Sequence, residues 1–180
     1  RLQGLQAAGH GREELVQAAA EQMFESLYGS DVETVTRTRP KEDDVALAAR
    51  LLETARGEDV QPALAAVLAE HAIALGAAHP DGYAPAVDAA DLMIEVAPHR
   101  AAEAYDRLVD LREQQHRSAK GLEKIGAAET LIETLLMAAD ARLDGGEADA
   151  ALGLMRRASR LARSIRSDRQ DEIQARMDRA

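Results

Sequence analysis

The chain is 180 residues long, carries a formal net charge of −10 and is 46% hydrophobic. That length fits one domain, or one domain with an N-terminal appendage, and the acidity argues against a nucleic-acid scaffold, which needs a basic face to release counterions from phosphates. With no cysteine there is no disulfide framework, no thiolate nucleophile and no cysteine-ligated metal.

Much of the apolar share is alanine, and the aromatic residues are Phe24, Tyr28, Tyr83 and Tyr105, with no Trp. A core of this composition needs helices that approach closely through small contacts, because Ala buries little area. Charge is uneven: residues 151–180 hold eight Arg against four acids, which leaves the first 150 residues at −14. Arg outnumbers Lys 19 to 3, a bias that a GC-rich genome produces by itself. No apolar run approaches the roughly 20 residues of a membrane span. The chain opens at Arg1 rather than Met, the pattern of a processed product or an excised piece, from which an export signal would already be gone.

In chain order, residues 11–28 predict a helix whose stripe is Val16, Ala19, Ala20, Met23, Phe24, Leu27 and Tyr28, with Gly29 as its stop. Residues 30–40 (SDVETVTRTRP) predict an extended linker, since a lone strand has nothing to pair with. Asp43 or Asp44 then caps a helix to Arg56, with Val45, Ala48, Ala49, Leu52 and Ala55 inward. Pro62 opens the next, whose stripe is Leu64, Val67, Leu68, His71, Ala72, Leu75 and Ala78.

After a PDG turn, residues 83–97 place Tyr83, Ala86, Val87, Ala90, Ile94 and Ala97 inward and Asp88, Asp91 and Glu95 on the outer face. Residues 100–117 bury Ala101, Ala104, Tyr105, Leu108 and Leu111, and Glu103–Arg107 and Glu113–Arg117 are spaced to pair. Residues 118–121 mark a break or a kink before a long apolar helix over 122–143, through Ile125, Ile132, Leu135, Leu136 and Ala139. Residues 147–165 bury Ala151, Leu152, Met155, Ala158 and Ala162, and a short polar helix over 168–179 suits an end cap.

Two stretches read as copies of one hairpin: HPDGYAPAVDAADLMIEVAP (79–98) and LDGGEADAALGLMRRASRLA (143–162). Gly146, Ala151 and Ala158, preceded by Ala139, resemble the small positions of the tetratricopeptide repeat, and Tyr83, Ala86 and Pro98 resemble its turn tyrosine, small residue and terminal proline. Met93 departs from that pattern, and about 65 residues separate the second helices where a repeat of roughly 34 is usual. KEDDVALAARLLETA together with residues 79–98 resembles a module of uncharacterised repeat proteins of planctomycete-type bacteria, over roughly residues 22–180. That resemblance implies a helical-repeat fold and export, and carries no activity.

Glu113-x-x-His116 has the spacing of a di-iron helix, but no second copy accompanies it. Pro98 breaks the helix between Glu95 and His99. His71, beside Glu70 on an apolar stripe, reads as a packed histidine. Gly145-Gly146 lacks the Lys-Ser/Thr of a phosphate loop and reads as a turn. Arg156, Arg160 and Arg163 align three guanidinium groups on one helix face: a solvated face first, next an anchor for an acidic partner or for the acidic part of another copy, and last a contact for nucleic acid.

The sequence therefore predicts an all-α chain, an α-solenoid of about eight helices in stacked antiparallel tetratricopeptide-like hairpins. Residues 1–40 form an N-terminal helix and linker, and residues 41–180 the repeat domain. The expected function is a non-catalytic scaffold that binds protein or self-associates, without metal, cofactor, nucleic acid or membrane span. Its candidate contacts are Arg156, Arg160 and Arg163. The alternative is a helical-bundle enzyme or metal protein that uses scattered Glu and His.

Overall fold

The computed structural model describes residues 2–38 and 41–180, with side chains from residue 11 onward. Among the described residues are eight α-helices and no strand: α1 (Leu2–Arg37), α2 (Glu42–Ala55), α3 (Pro62–Gly76), α4 (Tyr83–Val96), α5 (Ala101–Ser118), α6 (Gly121–Asp144), α7 (Ala148–Ile165) and α8 (Gln170–Met177). Single 3-10 turns at Pro80–Gly82 and Pro98–Arg100 precede α4 and α5. The chain divides into two compact units, Arg1–Pro98 and His99–Ala180. No helix of the described residues is long and apolar enough to cross a membrane.

In the first unit α3 packs against α1, α2 and α4. It is therefore buried almost all round, through Ala65, Ala66, Val67, Leu68, Ala69, Ala72, Ile73, Leu75 and Gly76. The one-sided stripe expected for this helix was too narrow: Ala78 is exposed and Leu64 half-buried, while Ala65, Ala66 and Ile73 are inside. Four of those nine residues being Ala, the neighbouring helices come close without steric cost.

The helix does not stop at Gly29. Residues 30–37, expected as an extended linker, continue α1. Thr34 and Thr36 send their hydroxyls back to the carbonyls of Ser30 and Val32 at 2.7 and 2.8 Å, which absorbs the groups that favour turns. Asp31 pairs with Arg50, and the Tyr28 hydroxyl reaches Thr54 of α2 at 3.4 Å. These ties to α2 offset the cost of about 1 kcal/mol for a glycine inside a helix. Arg39 and Pro40, the end of the expected linker, lie outside the described residues.

Only Ala20 and Phe24 of the α1 stripe are buried; Leu15, Val16, Met23 and Leu27 face outward. In α2 Ala48, Leu52 and Ala55 are buried as expected, but the inward face extends to Leu47 and Leu51, while Val45 is half-buried and Ala49 exposed. Neither Asp43 nor Asp44 caps that helix; the N-cap is Lys41. Both aspartates lie in the first turn, where they complement the helix dipole, and buried Asp44 pairs with Lys41 at 2.8 Å. In α4, Met93 is buried where Ile94 was expected to be.

In the second unit each helix packs against its chain neighbours, α5 on α6, α6 on α7 and α7 on α8. The shared core is Val109, Leu131, Ile132, Leu135, Leu136, Ala138 and Ala139, met by Ala151, Met155, Ala158 and Ala162 of α7 and Ile173 of α8. Cross-links show the direction of the chain. Arg142 at the end of α6 pairs with Asp106 near the start of α5, and the Ser167 hydroxyl just after α7 donates to Glu129 in the first part of α6 at 3.1 Å.

Residues 119–120 are a true break between α5 and α6. The Gly145-Gly146 turn is found between α6 and α7, with Gly146 at φ +76°. The first turns of α6 stand free, so Ile125, expected inside, is exposed together with Leu122. Glu113, spaced to pair with Arg117, instead takes Arg157 of α7.

Candidate functional site

The candidate site is a groove between α7 and α8. Helix α7 is amphipathic in the simplest sense: Ala151, Met155, Ala158 and Ala162 recur at helical spacing and all face the core. With that face fixed, Arg156, Arg160 and Arg163 point away from it. The chain then turns through Arg166, in the left-handed region at φ +56°. The Ser167 N–H closes on the Ala162 carbonyl at 2.9 Å, a C-terminal cap that sends the chain back along α7. Helix α8 follows and drives Ile173 into the core. The space left between the two helices is about 430 Å³, lined by Arg156, Ser159, Arg160 and Arg163 on one wall and Gln170, Asp171, Gln174 and Met177 on the other.

The structure thus brings the three arginines singled out from the sequence to one groove. Their chemistry differs from that of their neighbours. Arg157 pairs with Glu113, Arg169 with Glu172, and Arg176 with both Asp140 and Glu172. The hydrogen bond from Arg169 holds the Glu172 carboxyl below its ordinary range. Arg163 bonds only to its own helix, through the Ser159 carbonyl and hydroxyl at 3.3 Å. Arg156 and Arg160 have no carboxylate partner among the described residues. Asp171, the one carboxylate in the lining, stands across the groove. Guanidinium groups left without counter-charge in an acidic chain suit recognition of carboxylates, which they bind through paired N–H donors.

The other candidate residues are not brought together in this way. Glu113 is taken by Arg157. Pro98 opens the turn that separates Glu95 from His99. Among the described residues no group of three or more His, Asp or Glu side chains is placed to hold a metal ion.

His71 has a definite role that spacing alone did not reveal. Its ring stacks on Phe24 of α1, with centroids 3.8 Å apart and planes 10° from parallel, and so pins α1 to α3. Burial holds its pKa below the ordinary 6.5, against the opposing pull of Glu70, Glu25 and Glu21. A histidine whose folded pKa is depressed takes up its proton first in the unfolded chain. Stability should therefore fall as pH drops through 6.5, until the folded imidazole also protonates. Urea melts at pH 7.5 and 5.5 should show this loss, and His71→Phe, which keeps the stack, should show a smaller one. An equal loss in the variant would assign the effect to other groups.

Comparison with family models, with curated proteins and with solved structures finds no match.

Proposed function

We propose that this chain is a non-catalytic helical-repeat scaffold that binds protein, built as an α-solenoid of tetratricopeptide-like hairpins, and that it grips an acidic partner through Arg156, Arg160 and Arg163. The observation that carries the reading is the contrast within one helix pair. Arg157, Arg169 and Arg176 are neutralised by carboxylates, whereas the three guanidinium groups in the groove are not. The hairpin reading is supported by the small residues Ala139, Ala151 and Ala158, all fully buried where α6 meets α7, which lets the two helices nest.

The test is binding of a helical peptide about 20 residues long, enough to hold a helix in water, with Glu at i, i+4 and i+7. Calorimetry at low salt should show saturable binding. The R156E/R160E/R163E variant should bind at least about tenfold more weakly, since reversal replaces three attractions by repulsions. Equal binding by the variant would remove the groove from the mechanism, and no binding at all would remove the reading.

A further inference from the structure

We propose that the groove is filled by a second copy of this chain, which lays the acidic ridge of its α4 along α7; the inference rests on the protein-binding reading above and names the partner. Two independent observations lead to it, one of charge and one of spacing.

The charge divides at the boundary between the two units. Residues 1–98 hold seven Lys and Arg against seventeen Asp and Glu, and residues 99–180 hold fifteen of each. The entire net charge of −10 therefore sits in the first unit, and the unpaired arginines sit in the second. First units of two copies repel each other, whereas the second unit has no net charge and offers a local arginine row to an acidic ridge.

The spacing is complementary in the antiparallel sense. Along α7, Arg156 is followed by Arg160 four residues on and Arg163 three further. Along α4 read backward, Glu95 is followed by Asp91 four residues back and Asp88 three further. At 1.5 Å rise per residue, both rows place their charges at about 0, 6 and 10.5 Å along the axis. At 3.6 residues per turn, each row stays within an arc of about 60°. Asp88, Asp91 and Glu95 are all exposed, and Ala84 on the same face adds no bulk. The buried side of α4 is spent on α3 and α2 through Ala86, Ala90 and Met93. An antiparallel approach then sets Arg156 against Glu95 of the second copy, Arg160 against Asp91 and Arg163 against Asp88.

Asp91 is already engaged within its own chain, and Asp88 already pairs with Arg56 of its own unit at 3.2 Å, with both side chains about half exposed. Such a surface pair is worth little and is readily exchanged. Asp171 opposes an incoming acid from the other wall of the groove, so Asp171→Asn should tighten the contact.

Each copy carries one groove and one ridge, so copies assemble either as pairs that exchange both contacts or as rings and linear chains. Sedimentation velocity on the full chain at low salt should show species larger than the monomer that grow with concentration, and these should dissociate at molar salt as screening shortens to about 3 Å. R156E/R160E/R163E alone and D88R/D91R/E95R alone should each lose at least tenfold in self-association. An equimolar mixture of the two variants should recover it, because each supplies the surface complementary to the other. All six positions are exposed, and circular dichroism melts close to wild type would confirm that the variants fold. A wild-type chain that stays monomeric at low salt would overturn the proposal, as would assembly that survives reversal of the ridge. The peptide titration described above would then still report separately on the groove.

Discussion

Gly82→Ala is expected to be among the most damaging single substitutions in the chain. The end of α3 and the turn into α4 touch backbone to backbone at Gly76 and Gly82. A β-carbon on Gly82 would lie 2.8 Å from the Gly76 Cα, 2.9 Å from its carbonyl carbon and closer still to its oxygen. A β-carbon on Gly76 would meet the Gly82 carbonyl oxygen at 2.6 Å and the Ala86 Cβ at 3.0 Å. Nothing there is the free end of a side chain, so relief requires α3 and α4 to separate. Overpacking of this kind costs about 3 kcal/mol or more, which for a unit of this size lowers Tm by more than about 10 °C. Gly126→Ala is the matching control. Its β-carbon would meet nothing within 4 Å, and alanine inside a helix should stabilise by about 0.5–1 kcal/mol. Thermal melts that ranked the two variants equally would show that the α3–α4 approach is looser than described.

Leu68→Ala should cost about 3–5 kcal/mol, the upper part of the range for a buried leucine. Leu68 is 0% exposed in a helix enclosed by α1, α2 and α4. Its surroundings are already rich in Ala, which has no side-chain freedom to swing into the cavity. Leu15→Ala in α1, where the side chain is 74% exposed, should change stability by less than about 0.5 kcal/mol. Urea midpoints compared across the two variants check the distinction. A small effect at Leu68 would mean that α3 is less enclosed than its burial shows.

The contrast between α7 and α3 explains how far the sequence could be read. In α7 a single face packs, so Ala151, Met155, Ala158 and Ala162 were legible from their spacing, although Leu152, expected with them, is only half-buried, and the outward direction of Arg156, Arg160 and Arg163 followed. In α3 three helices pack on three sides, so most positions are buried and periodicity loses its meaning. In α1 the apolar stripe was correctly seen, but pattern cannot say how much of it a neighbour covers. Only Ala20 and Phe24 are taken, and Met23 and Leu27 are left outside. The misplaced edges of the inward faces in α2 and α4 have a related cause: Ala marks a helix face weakly, so Leu47, Leu51 and Met93 set the limits of the face only once the neighbours are in place.

The all-helical class, the number of helices and most of their ends were written in local chemistry: apolar residues at helical spacing, Pro62 and Pro98 at boundaries, and the Gly145-Gly146 turn. Those signals act within a few residues, and a single chain displays them directly. Which guanidinium groups are neutralised depended on residues far apart in sequence. Arg157 meets Glu113 from 44 positions away and Arg176 meets Asp140 from 36, so only the packed helices could separate the paired arginines from the three that line the groove. The same holds for Phe24 on His71 and for Gly82 on Gly76, where the decisive quantity is a distance between elements that no local pattern encodes.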